Sequence, residues 1–187
     1  LGEATKTVSF AMQGAKSYSF TLSFGMQTTT DDREGGAVAT SDVRPTRDEI
    51  AAILPRFTGS IEQRPPIFSA IKIDGARAYD IARKAVADGL DTLPELAPRL
   101  IEIDRLELRD VTDDSATFFV ACGKGTYIRS LARDIALALG SVGHVSRLRR
   151  LSVGPFCEAD SISLAFLEEL KHSAAAFEHL KPVTSAL

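Results

Sequence analysis

The sequence predicts an α+β fold, a mostly antiparallel mixed sheet flanked by helices, and three observations lead there. Lys16 to Phe24 alternates without a break, with Tyr18, Phe20, Leu22 and Phe24 on one face and Ser17, Ser19, Thr21 and Ser23 on the other, which is the period-two pattern of a half-buried strand. The run Leu100, Ile101, Ile103, Leu106 and Leu108 and the run Ala116 to Ala121 are joined by the turn-prone Thr112-Asp113-Asp114-Ser115, and read as a hairpin. Helical stretches fall between strands without the regular alternation that a parallel βαβ sheet requires.

After the first strand, Thr28 to Gly36 is polar, acidic and glycine-ended, so a loop is expected. Thr46-Arg47-Asp48-Glu49 has capping-box spacing ahead of Ile50, Ile53 and Leu54. A short helix should therefore run to about Phe57 before Gly59 ends it. Pro65-Pro66 opens an extended segment, Ile67 to Ile73, which the turn pair Asp74-Gly75 closes. A helix from Ala78 to Ala87 follows, then a proline-spaced linker through Pro94 and Pro98 and the hairpin. Beyond it, Ile128, Leu131, Ile135 and Leu139 fall on one helical stripe, with Gly140 placed as terminator. Val145 to Val153 reads as a strand and Ser163 to Leu170 as a short helix; no internal repeat or low-complexity tract is visible.

At 187 residues and 44% apolar, the chain can bury one substantial core, and a disordered chain is excluded. The two cysteines, Cys122 and Cys157, lack metal or redox spacing, and no apolar run reaches the roughly 20 residues of a membrane span. With no targeting segment at Leu1, a soluble protein of the cytoplasm is expected. A net charge of -3 and a pI near 5.7 argue against nonspecific coating of nucleic acid. The charge is patterned, however. Arg147, Arg149 and Arg150 cluster near His144, and Lys124, Arg129 and Arg133 form a second group; acids concentrate at Asp31 to Glu34, Asp110 to Asp114 and Glu168-Glu169. A basic face on an acidic body suits a grip on one folded RNA, although an ordinary mixed surface has the same composition.

The chemistry concentrates at Gly123-Lys124-Gly125-Thr126-Tyr127-Ile128-Arg129, where a phenol, a guanidinium and an ammonium crowd around glycines at a strand-to-helix corner. If this stretch is extended, Tyr127 and Arg129 point the same way and Ile128 points into the core. If it is helical, the two diverge by about 200°. Other chemistries lack their signals. Gly123-Lys124-Gly125 is no phosphate loop, because Phe118 stands where the loop's first glycine belongs and Gly125 where Ser or Thr belongs. His144, His172 and His179 have no metal-ligand spacing, and no serine or cysteine has a nucleophile context.

The stretch Lys124-Gly125-Thr126-Tyr127-Ile128-Arg129 resembles a signature of the bacterial tRNA pseudouridine synthases of the TruB type, whose archaeal and eukaryotic relatives work inside guide-RNA particles. Leu1 to Lys6, Lys16 to Gly25, Arg64 to Lys72, Gly75 to Arg83 and His144 to Leu151 resemble further family segments, in family order. Phe68 departs from the tyrosine more usual there. The resemblance implies that Arg129 pairs with the catalytic aspartate and that Tyr127 is a candidate general base. A phenol, with a reference pKa near 10, needs a neighbouring cation for that task.

By the same resemblance Tyr18 stacks on a flipped uracil and Leu148 packs in the base pocket. Taken by their own patterns alone, Tyr18 has the alternative reading of a core aromatic like Phe20, and Leu148 is a strand leucine. Arg147 and Arg149 are expected to contact the RNA backbone; Lys72 and Lys124 contact RNA or are simply solvated. The arrangement requires Tyr127 and Arg129 to open onto one cavity opposite Tyr18.

The family's catalytic aspartate lies in a Gly-His-Thr-Gly-x-Leu-Asp-Pro context absent from these 187 residues; Gly89-Leu90-Asp91-Thr92-Leu93-Pro94 lacks its lead. The chain is therefore expected to be the C-terminal portion of a pseudouridine synthase catalytic domain without a recognisable C-terminal RNA-binding domain. The implied protein works without metal or cofactor, as a monomer, on the tRNA T-arm. A noncatalytic RNA-binding or tRNA-folding module is the second reading.

Overall fold

Local pattern becomes local structure over most of the chain. In the computed structural model, which describes residues 2–73, 75–88, 96–170, 178, 179, 181, 182 and 184, a 3₁₀ turn (Gly2–Thr7) leads into helix α1 (Val8–Gln13). Strand β1 (Lys16–Phe24) occupies the alternating residues, and β2 (Met26–Thr28) and β3 (Ala37–Thr40) form a small hairpin on either side of the expected loop. Helix α2 (Arg47–Ile53) starts at the capping box. Thr46 Oγ1 accepts from the Glu49 N–H at 3.3 Å, and the Glu49 carboxylate accepts from the Thr46 N–H at 2.8 Å. A 3₁₀ turn, Leu54–Phe57, carries the helix to its expected end. There follow β4 (Gly59–Gln63), β5 (Lys72–Ile73), β6 (Ala76–Arg77), α3 (Ala78–Ala87), β7 (Arg99–Val111), β8 (Ser115–Cys122), α4 (Ile128–Ala138), β9 (Gly143–Val153), β10 (Phe156–Cys157) and α5 (Leu164–Glu169).

Six strands pair antiparallel in the order β10-β9-β1-β8-β7-β4, the mostly antiparallel α+β architecture that the sequence predicts. One face of this sheet is buried. Phe20, Leu22, Phe118, Val120, Cys122 and Ile103 project from it against Ile128, Leu131, Ala132, Ile135 and Ala136 of α4 and Ile50 of α2. The α4 residues recur at three- and four-residue spacing, so one apolar stripe covers the sheet, while Arg129 and Arg133 on another side of the helix are partly buried against loops. At the centre the rings of Phe20 and Phe118 stack with centroids 5.0 Å apart. The chain passes close to this core at Gly143, where a Cβ would lie 2.6 Å from Leu22 Cδ1 and 2.7 Å from the Ser23 carbonyl oxygen.

The differences from expectation lie where order comes from partners rather than periodicity. Of the expected extended segment Ile67 to Ile73, only Lys72 and Ile73 pair, with Arg77 and Ala76; before them the chain bends, and the Ser69 N–H donates to the Ile67 carbonyl at 2.8 Å. Strand β4 has a single large apolar residue, Ile61, and owes its order to its neighbour: Gly59 pairs with Ile103 and Gln63 with Arg99. Asp74 and residues 89–95 of the linker, including Pro94 and Asp91, lie outside the described residues, as do Leu1 and His172.

Truncating Phe118 to Ala in the sheet core should cost about 3–5 kcal/mol in urea denaturation. Val38→Ala on the exposed face of β3 should stay within about 0.5 kcal/mol in the same measurement.

Candidate functional site

Strand β8 ends at Cys122, and the turn into α4 is built on Gly125, whose φ of 87° is strained for any residue with a Cβ. Tyr127 follows in extended conformation (φ -103°, ψ 112°), and the helix begins at Ile128, which is buried. The corner therefore combines both conformations left open by the sequence: Tyr127 is the last extended residue and Arg129 lies in the first helical turn. A buried amide locks the transition. The Tyr127 N–H donates to Gln63 Oε1 at 2.8 Å and Gln63 Nε2 donates to the Tyr127 carbonyl at 3.1 Å, so a side chain from β4 satisfies both backbone groups. Gln63 is 2% exposed, and it supplies the N-terminal partner that no side-chain cap provides here.

Arg129 joins separate segments through one guanidinium. Its Nη1 donates to the Thr30 carbonyl at 3.0 Å and to Asp32 Oδ2 at 2.9 Å, while Nη2 donates to the Phe68 carbonyl at 2.7 Å. Both partners of the Arg129–Asp32 pair are about one-quarter exposed, so the contact is less screened than a surface ion pair. Tyr127 and Arg129 open onto one cavity of about 640 Å³, with Thr30, Asp32 and Glu34 on one wall and Phe68, Ser69, Tyr79 and Arg83 on another. Its size suits a small organic group or a nucleotide, and its lining offers a phenol, a fixed cation and a carboxylate.

A second groove, of about 270 Å³, shares Asp32, Glu34 and Arg129 with that cavity and continues to Arg147 and Leu148. Leu148 is 49% exposed, unusual for a strand leucine, and sits opposite Phe20 in the β1–β9 pairing. Tyr18 does not line the main cavity. It lies two residues from Phe20 and so shares Leu148's sheet face, half buried against the core, with Arg150 Cζ 5.8 Å from the ring centroid. Burial raises the Tyr18 phenol above its ordinary value, outweighing the lowering by the Arg150 charge.

The basic groups distribute differently from the sequence pattern. Arg149 is exposed and paired with Glu158, and Lys72 and Lys124 are exposed and do not line the main cavity. Arg129 and Arg133 are not free charges on a basic face: they are partly buried against Asp32 and Asp31, in the loop that the sequence presents as a separate acidic segment. Among the described residues, no group of His, Cys, Asp or Glu is placed to hold a metal. His144 instead ties β9 to β2, its Nδ1 lying 2.8 Å from the Met26 carbonyl.

Sequence reasoning missed Asp32, Gln63, Tyr79 and Arg83 as site residues. Asp32 and Arg129 are 97 positions apart, and no spacing rule links them. Gln63 carried one weak signal, a lone amide before Pro65-Pro66, in a strand that was itself not recognised.

The chain's similarities run along its whole length. A family model described as "TruB family pseudouridylate synthase (N terminal domain)" matches residues 1–128, and one described as "tRNA pseudouridylate synthase B C-terminal domain" matches residues 129–187. The tRNA pseudouridine synthase B of Bradyrhizobium diazoefficiens is 55% identical over 193 residues, covering 100% of this chain and 54% of its own length. That of Caulobacter vibrioides is 52% identical over 188 residues, covering 100% and 59%. The chain thus spans little more than half the length of these curated relatives. Among solved structures, a chain of a Cbf5-Nop10-Gar1 complex superposes with a TM-score of 0.69 at 26% identity, covering 100% of this chain and 47% of that one. A chain of an H/ACA RNP bound to a substrate RNA containing 2'-deoxyuridine shares the fold, with a TM-score of 0.66 at 23% identity, covering 100% and 45%.

Gln63→Leu should destabilise the protein by about 1–3 kcal/mol in chemical denaturation, because it strands the Tyr127 N–H, whereas the Tyr127 carbonyl keeps its bond from the Leu131 N–H. A pH test follows from Tyr18. Its folded value lies above the unfolded value of about 10, so the associated stability is fully present below that pH and is lost as the pH rises through the folded value. Tyr18→Phe should flatten this part of the alkaline stability profile, read by urea denaturation at stepped pH.

Proposed function

Because the chain belongs to the TruB family of pseudouridylate synthases, we propose that the protein containing it isomerises a uridine of the tRNA T-loop to pseudouridine. The bond between N1 and C1′ breaks, one between C5 and C1′ forms, C5 loses its proton and N1 gains one. Atoms and electrons balance without an oxidant, metal or cofactor. The observation that carries this reading is the shared cavity of Tyr127 and Arg129, on the corner where the family resemblance is densest.

Tyr127 is the proposed general base for the C5 proton, held in reach of the cavity by Gln63. Arg129 orients carboxylate chemistry at the cavity. Its contacts to Asp32, Thr30 and Phe68 fix the guanidinium before substrate arrives, so it needs no reorganisation to hold a catalytic aspartate contributed from sequence outside these residues. Leu148 offers an apolar surface for the base at the groove that runs into the cavity.

Tyr18 is the proposed stacking platform on the same sheet face. Because the Arg150 guanidinium lies over the ring, a stacked uracil takes the other ring face or displaces it. Arg147, beside Leu148, and Arg149 are proposed phosphate contacts, with Lys72 and Lys124 as outlying cations. The tRNA T-arm is the partner this assigns to a monomeric cytoplasmic enzyme; the name tRNA pseudouridine synthase B carried by the relatives supports tRNA as substrate. Among the described residues, no helix is long and apolar enough to cross a membrane.

Tritium release from C5-tritiated uridine in tRNA tests the assignment in the full-length protein. Tyr127→Phe and Arg129→Ala should each lower the rate by about 100-fold or more, the scale of a lost general base or positioned charge. Wild-type rates in both variants would overturn the roles, and tight tRNA binding without any release by the unaltered protein would favour the noncatalytic RNA-binding reading.

A further inference from the structure

We propose that Arg133 and Asp31 form a positioning pair that holds the Arg129–Asp32 couple and its two loops in register with the cavity. Neither residue lines the cavity, so any effect on chemistry passes through Arg129 and Asp32. Arg133 lies four residues after Arg129 on α4, one helical turn further from the mouth and on the same side. Each nitrogen of its guanidinium is engaged: Nη1 donates to Asp31 Oδ2, Nε to Asp134 Oδ1 and Nη2 to the Arg64 carbonyl, each at 3.0 Å. The side chains of the Arg133–Asp31 pair are 16% and 9% exposed.

The two arginines grip the same two segments. Arg129 reaches Asp32 and Phe68; Arg133 reaches Asp31 and Arg64. Consecutive aspartates on an ordinary extended or helical backbone would not both face one helix. Here Asp31 adopts φ 57°, the only positive φ of a non-glycine residue among those described, in the left-handed region that aspartate tolerates best after asparagine and glycine. That turn directs two successive carboxylates at cations one helical pitch apart. The loop is held from behind as well, because the Val145 N–H donates to the Asp31 carbonyl at 2.9 Å.

An apolar pair of equal volume would serve stability about as well as a buried ion pair, but it would not fix the direction from which Asp32 meets Arg129. Positioning is what the charges add.

The rate measurement rests on the isomerase reading above; a second readout does not. In the full-length protein, the size-matched double variant Asp31→Asn/Arg133→Met leaves no unpaired charge at position 31, leaves Asp134, about one-third exposed, to solvent in place of Arg133, and keeps a residue that tolerates the left-handed turn. It should unfold within a few degrees of wild type, yet show kcat lowered about tenfold or more with the tRNA Kd within about threefold, and faster deuterium exchange across residues 28–36. Adding Arg129→Ala to it should lower the rate much less than Arg129→Ala does alone, as expected for groups acting as one unit. A wild-type kcat in the double variant would overturn the proposal, and so would a rate loss matched by weaker tRNA binding with exchange unchanged. If the unaltered protein forms no pseudouridine, the isomerase reading fails and exchange decides: unchanged protection of residues 28–36 in the double variant then overturns the pair's role.

Discussion

The guanidinium of Arg129 is the point at which a helix and two loops become one site. Each of its contacts is individually modest, but they are geometrically exclusive, because a planar fork satisfies the Thr30 and Phe68 carbonyls and the Asp32 carboxylate only when all three approach its edge together. A lysine would keep the charge and lose that constraint. The cavity is therefore defined by the meeting of segments far apart in sequence, on the rigid end of α4 where it leaves the sheet.

Gln63 performs the complementary task for Tyr127. A helix that starts immediately after an extended residue leaves N–H groups without partners, and burial makes that costly. Here the Leu131 N–H donates to the Tyr127 carbonyl at 3.0 Å, which also accepts from Gln63, so one peptide is held by the helix and by strand β4 at once. The phenol is thus presented from a backbone that has nowhere else to go.

These two devices also explain what could be read from sequence and what could not. β1, the β7–β8 hairpin, α3 and α4 were legible because their signals are local: alternation at Lys16 to Phe24, a turn at Thr112 to Ser115, an apolar stripe from Ile128. Strand β4 was not, since Gly59-Ser60-Ile61-Glu62-Gln63 contains no period and gains its order from Leu100, Ile101 and Ile103 across the ladder. The chemical corner was legible at Tyr127 and Arg129, but not their supports. Asp31 to Glu34 read as an acidic stretch of a loop and Arg129 and Arg133 as part of a basic face, because a linear charge pattern does not reveal which opposite charges the fold will bring together.

The same consideration changes what net charge means for this surface. With Arg129 and Arg133 committed internally and Arg149 matched by Glu158, Arg147 has no ion-pair partner among the described residues, and it stands beside Leu148 at the groove. A polyanion there meets Arg33 and Arg147 at the groove and Arg83 at the cavity, none with an ion-pair partner among the described residues, but contacts to phosphates position a backbone without choosing a base. Shape, the apolar Leu148 and the half-buried ring of Tyr18 then carry more of the discrimination than charge does. That balance fits the uridine substrate proposed above, since stacking and packing act only on a base that has already left its helix.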